Sequence, residues 1–225
     1  MTTKQEIVEV LQDRQSTYAF LSQMYREEIS VDLLEELAAE LVRSDYEMDT
    51  ENQGYALLAS FARGIQGVDL AQVRSDLAVE YARLFLGVKR RNLVPCESVY
   101  TSDRRLMMQE ARDQVVREYR KEGLDTAAEF TEPEDHVAIE LAFMSHLCQQ
   151  AANAVERGET QQAAYFVEQQ RRFLTDHLAV WVPRLCDDIL GLAESDFYKG
   201  VILLTQEHLS MEPDAVAELA SAIAA

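Results

Sequence analysis

The sequence predicts an all-α fold, and three features point there together. Its 225 residues include only 8 Gly and 4 Pro, too few turn residues to punctuate many short strands. Ala, Leu, Glu, Gln and Arg dominate, the side chains that lose least on entering a helix. Apolar residues recur at three-, four- and seven-residue spacings, and no segment alternates as a half-buried strand does. With 48% hydrophobic and 27% charged residues the chain has a globular balance and can bury a sizeable core. The expectation is a single domain over 1–225, a bundle of about nine to eleven helices.

The elements follow in order. A first helix over 4–28 carries Ile7, Val8, Leu11, Tyr18, Leu21 and Tyr25 on one stripe. Ser30 offers an N-cap to Val31–Arg43, where Leu33, Leu34, Leu37 and Leu41 are the apolar positions. The polar run Ser44–Asn52 connects to a helix over 53–65 that ends near Gly64 and Gly67. Asp69 caps the next, with Leu70, Val73, Leu77, Tyr81, Leu84 and Phe85 at helical spacing and Gly87 as its stop. Val88–Thr101 is the one long irregular stretch, and loops of that length in compact domains usually carry function. It holds the basic tip Lys89-Arg90-Arg91, and 87–101 is a candidate hinge. A helix over 103–121 stops at Gly123. Thr131-Glu132-Pro133-Glu134 reads as a helix start, with Thr131 as cap, Pro133 in the first turn and Glu134 closing a capping box; the helix then runs to Arg157 before Gly158. Further helices cover 160–181, 183–190 started or kinked by Pro183, 196–209 capped by Ser195, and a weak Ala-rich tail from Pro213 to Ala225.

Composition also excludes. A formal net charge of −19 repels nucleic acid and anionic membrane surfaces and favours basic partners. The 3 cysteines, Cys96, Cys148 and Cys186, form no CxxC pair and no disulfide framework. Residues Met1 to Gln12 include acids and no continuous apolar core, so no signal peptide is expected. No window approaches a transmembrane run, so no stable membrane insertion is expected and the cytoplasm is the default compartment.

Known chemical motifs fail at named positions. A di-iron bundle needs Glu-x-x-His, yet the residues three before His136, His146, His177 and His208 are Pro133, Phe143, Leu174 and Thr205. HExxH, GxxxxGK, GxGxxG and GxSxG do not occur. Cys96 is the best nucleophile available, but Glu97 beside it raises the thiol pKa. No catalytic residue, metal or cofactor is expected.

One constellation stands out. At 100° per residue His136, Glu140, Phe143 and Leu147 share a narrow stripe, and Val137, Leu141, Met144, Cys148 and Val155 share a second. A helix apolar on two sides belongs at the centre of a bundle. Pattern alone leaves two readings of the Glu132–Glu140 end. It is either an ordinary acidic first turn with a His–Glu pair, or a polar rim beside an apolar groove suited to a basic and hydrophobic peptide.

Glu132-Pro133-Glu134-Asp135-His136, followed by Glu140-Leu141-Ala142-Phe143-Met144 and Leu147, resembles the signature of the TorD/DmsD/NarJ family of redox-enzyme maturation chaperones. Three more segments agree in order: Tyr81-Ala82-Arg83-Leu84-Phe85 with Gly87; Pro95-Cys96-Glu97-Ser98-Val99-Tyr100; and Phe173-Leu174, His177-Leu178, Trp181, Pro183 and Phe197-Tyr198. Together they cover about 75–205 of the chain. The resemblance implies a TorD-like helical chaperone, not an enzyme, that binds the twin-arginine leader and the apo form of a molybdopterin or iron–sulfur oxidoreductase. It would hold this precursor for cofactor insertion and delay its export.

By motif position the resemblance assigns leader binding to Asp135 and His136, with Pro95, Ser98 and Tyr100 lining the same groove. Pro133 and Glu140 complete the candidate set, and Glu134, Asp135 and Glu97 are the carboxylates available to a leader's arginines. Some members place a Trp in the 95–98 stretch, where this chain has Cys96-Glu97. An assembly subunit of an anaerobic oxidoreductase and a weak nucleotide hydrolase are the alternative readings. Monomer and homodimer are both compatible with the sequence.

Overall fold

The computed structural model describes residues 3–43, 52–86, 93–124 and 132–224. The helices are α1 (Lys4–Arg26), α2 (Val31–Arg43), α3 (Gln53–Gly64), α4 (Leu70–Phe85), α5 (Glu97–Thr101), α6 (Glu110–Lys121), α7 (Val137–Arg157), α8 (Thr160–Phe173), α9 (Ala179–Leu190) and α10 (Asp196–Ala224). A π-turn, Leu174–Leu178, joins α8 to α9. The fold is all-α; among the described residues the β feature is one isolated antiparallel bridge, Cys96 with His136.

Local chemistry sets several helix ends. Ser30 Oγ accepts the Leu33 N–H at 3.1 Å, Asp69 Oδ1 that of Ala71 at 3.0 Å, and Ser195 Oγ that of Tyr198 at 3.1 Å. Gly158 takes the left-handed conformation, φ 74°, that closes α7. The Gly87 stop, the Lys89-Arg90-Arg91 tip, the Thr131 cap and nearly all of the polar connector fall outside the described residues.

Several helix boundaries depart from the sequence expectation. The helix expected over 103–121 begins only at Glu110, because Arg105 (φ 51°) and Met108 (φ 60°) adopt left-handed backbone that a right-handed helix cannot contain. The helix expected from the 131–134 start begins at Val137. Its N-cap is His136, whose Nδ1 accepts the Ala138 N–H at 3.2 Å, while Glu134 lies ahead of the helix with its carboxylate engaged by Arg112. The helix over 160–181 stops at Phe173 and widens into the π-turn, after which α9 runs through Pro183. Pro213 likewise lies inside a continuous α10, so the tail is no separate helix; each proline removes one backbone donor from its helix.

The chain divides into two compact units. One takes the described residues of Met1–Tyr25, Pro95–Val182 and Leu209–Ala225; the other takes those of Arg26–Val94 and Pro183–His208.

In the first unit α7 packs along α8 and is buried on two sides, with Val137, Leu141, Met144 and Cys148 inside together with Phe143 and Leu147. It also buries an ion pair. Arg14 donates through Nε to Glu212 Oε1 at 2.8 Å and through Nη1 to Gln170 Oε1 at 2.6 Å, and the Tyr18 hydroxyl donates to Glu212 Oε2 at 2.6 Å. All four side chains are buried, so each polar group needs a partner.

In the second unit α2 packs on α3 and α4. Backbone contact between α3 and α10 depends on two glycines. A Cβ on Gly54 would lie 2.5 Å from Leu204 N, and one on Gly200 would lie 2.7 Å from Leu58 Cγ. Phe61 and Phe197 pack with tilted rings beside this crossing, centroids 5.3 Å apart, and Tyr81, Phe85 and Tyr198 form a further aromatic group. Glu80, buried, accepts the N–H groups of Glu194 (2.6 Å) and Ser195 (3.1 Å) just ahead of α10.

Candidate functional site

Two segments far apart in sequence meet within the first unit. Val137 N–H donates to Pro95 O at 2.8 Å, and Glu97 N–H donates to Asp135 O at 2.9 Å, closing the Cys96–His136 bridge. Asp135 Oδ2 then accepts the Ser98 N–H at 2.8 Å. The bridge therefore brings Pro95, Glu97 and Ser98 against Asp135 and His136. Glu140 follows one turn into α7.

Most of these side chains point inward. Asp135 and Glu140 have 0% exposure, and Pro95, Glu97, Ser98 and His136 are buried. Pro133, Glu134 and Tyr100 are half-buried and form the part that reaches solvent. Glu134 is engaged by the guanidinium of Arg112, whose Nε lies 2.7 Å from Glu134 Oε2, with a second bond from Nη2 to Oε1. This fork holds the Glu134 carboxyl below its ordinary range. The Tyr119 hydroxyl donates to Glu134 O at 3.1 Å and fixes the same turn from α6.

Behind the bridge lies a buried group of acids. His177 Nδ1 is 2.9 Å from Glu97 Oε2, and both side chains are buried. Trp181 Nε1 donates to Glu140 Oε2 at 3.0 Å. Glu140 Oε1 meets no N–H or O–H donor. Burial first, then the charge of Glu97, push the Glu140 carboxyl well above the usual carboxylate range. Both effects favour the protonated form of Glu140.

Burial also raises Asp135, against the opposing pull of Ser98, and Asp135 Oδ1 lacks a hydrogen-bond partner. His136 is driven the other way: burial lowers it to about 4, so it caps α7 as a neutral ring. The Cys96 thiol is pushed far up by burial first and by Asp135 next, and so stays a protonated, weakly nucleophilic group. Among the described residues no three metal-ligating side chains converge.

His177, Trp181 and Arg112 were not among the candidate site residues. The available signal was the pair His177 and Trp181, two aromatics with polar tips four apart in an apolar stretch, since such tips need partners when buried. Arg112 carried no signal, because its partner lies 22 positions away.

Residues 45–187 match the family described as nitrate reductase delta subunit. That is more than half of the chain, and the chain belongs to this family, the TorD/DmsD/NarJ group of redox-enzyme maturation chaperones. Its relatives are named chaperones, and it falls in that non-enzymatic class. The chain is 27% identical to the chaperone protein TorD of Shewanella pealeana, over 89% of this chain and 88% of that protein. It is 25% identical to the TorD of Vibrio cholerae strain O395, over 96% of this chain and 97% of that one. With the TorD of Aliivibrio fischeri the figures are 26%, 92% and 96%. No described helix is long and apolar enough to cross a membrane.

Proposed function

We propose that this chain is a cytoplasmic chaperone that binds the twin-arginine leader, and the apo form, of a molybdopterin or iron–sulfur oxidoreductase. It holds that precursor for cofactor insertion and delays its export. The observation that supports the reading is the Asp135–Ser98 lock, which ties the acid-rich turn to the segment that carries the half-buried Tyr100.

The residues divide into two roles. Pro133, Glu134 and Tyr100 meet the peptide, and a leader arginine competes with Arg112 for the Glu134 carboxylate. Asp135, His136, Glu97, Ser98, Pro95 and Glu140 act from behind by holding the turn in place. Basic leaders are also drawn in by the overall charge of −19, an attraction that salt screens.

Calorimetric titration with a synthetic twin-arginine leader tests this. The wild-type protein gives a binding isotherm that weakens with added salt, and Asp135→Ala and His136→Ala each bind more weakly. Unchanged affinity in both variants overturns the assigned site. No isotherm with the wild-type protein overturns the reading itself.

A further inference from the structure

Between α5 and α6 the chain turns through Asp103–Met108, and every residue of that run is exposed. Three consecutive apolar side chains stand there in solvent: Leu106 at 48%, Met107 at 48% and Met108 at 56% exposure. The backbone enforces the exposure. Arg105 and Met108, neither of them glycine, adopt positive φ at 51° and 60°.

Hydrogen bonds hold this shape. Ser102 Oγ accepts the Leu106 N–H at 3.2 Å, and the Gln109 side-chain amide donates to Met107 O at 2.8 Å. A backbone held in a sparsely populated conformation, presenting apolar side chains outward, is a pattern that clusters at ligand clamps. Methionines suit such a surface because their unbranched, polarizable chains adapt to varied apolar partners.

The loop is continuous with the candidate site. Gln109 N–H donates to Ser98 Oγ at 3.1 Å, and the same Ser98 donates its own N–H to Asp135. Arg112, which holds Glu134, lies one turn further along α6. Exposed Arg104 and Arg105 adjoin the apolar side chains and repel a peptide's basic residues, while an uncharged apolar run is accepted.

We infer that the Leu106-Met107-Met108 loop is the docking surface for the apolar run of the leader peptide whose basic part sits at the Glu134 turn. This rests on the leader-binding reading above. The acid-rich turn and the apolar loop then read two adjoining stretches of one peptide, and the pair of arginines at the loop sets the direction in which it lies.

Methionine footprinting tests this on the full wild-type chain. Dilute peroxide is applied with and without a saturating methionine-free synthetic leader, and sulfoxide at each site is followed by mass spectrometry. Met211, 58% exposed, is the internal reference. Met107 and Met108 are expected to oxidise several-fold more slowly with peptide bound, and Met211 at an unchanged rate.

Binding measured by calorimetry with no protection of either methionine overturns the docking surface and leaves leader binding intact. Absence of binding overturns both. A variant carrying Leu106→Gln, Met107→Gln and Met108→Gln gives an independent check. It is expected to bind the full leader about tenfold more weakly than wild type. It should match wild type for a leader whose apolar run is replaced by serines, and equal affinity of both proteins for the full leader overturns the assignment.

Discussion

Asp135 Oδ2 accepts the backbone N–H of Ser98 at 2.8 Å, joining residues 37 positions apart. Around that contact the Cys96–His136 bridge forms, α5 starts and the Glu134 turn is set. It is a buried hydrogen bond to an acid, so removing the acceptor leaves the Ser98 donor unsatisfied.

Asp135→Ala is therefore expected to destabilise the protein by about 1–3 kcal/mol, whereas Asp135→Asn, which keeps an acceptor oxygen, costs less. Urea unfolding of both variants checks the order. Equal losses would show that the charge, not the acceptor, is what the position needs.

His136 gives a pH dependence whose sign is set by its depressed pKa. The folded-state value is about 4 against an ordinary 6.5, so the unfolded chain binds the proton more readily. Its contribution is present above pH 6.5 and is lost as pH falls toward 4, in total roughly 3 kcal/mol. In His136→Asn the side-chain oxygen can still cap α7 but does not titrate. The variant should lose less stability than wild type between pH 7 and pH 5 in urea titrations.

Glu140 works in the opposite direction. Its folded pKa is raised, so its contribution is complete below the ordinary carboxylate value and is lost as pH rises through the folded one. Glu140→Gln keeps an acceptor for Trp181 Nε1 and offers an N–H toward Glu97 in place of the acid proton. At pH 8 and above the variant is expected to be at least as stable as wild type. A large loss there, read by thermal melting, would mean that the charged form is the one the fold requires.

The α3–α10 crossing predicts a graded series. Gly54→Ala places a methyl against backbone atoms of Leu204 and is expected to cost about 1–3 kcal/mol despite the better helix propensity of alanine. Gly200→Ala meets the branch point of buried Leu58 at 2.7 Å and the Gly54 carbonyl oxygen at 3.0 Å, and should also be destabilising. Gly64→Ala meets nothing within 4 Å and should be neutral or slightly stabilising. Chemical denaturation midpoints rank the three.

Arg14→Met leaves Glu212 buried without its ion partner, and breaking such a pair costs about 3–5 kcal/mol. Adding Glu212→Met removes the stranded charge and should recover much of that loss. Thermal melts of the single and double variants, compared in one cycle, read the coupling directly.

Features that depend on near neighbours were legible in the chain itself. Ser30, Asp69 and Ser195 cap their helices by bonds two or three residues long, and Gly158 stops α7 by its own φ. Helical periodicity likewise placed α1 to α4 and the two buried sides of α7, because the 3.6-residue repeat is a property of consecutive side chains. The first turns of the helix expected over 103–121 failed because the backbone at Arg105 and Met108, neither a glycine, takes a shape that spacing does not encode.

The candidate site divides along the same line. Asp135, His136 and Glu140 were recognisable as a group from their order, and family membership follows from that order too. Which way they face was decided only by tertiary structure. The partners that turn Asp135, Glu134, Glu140 and Glu97 inward or aside are Ser98, Arg112, Trp181 and His177, at separations of 22 to 80 positions. Hydrogen bonds of that span form only once the helices have packed, because burial, not local propensity, obliges each acid to find its donor.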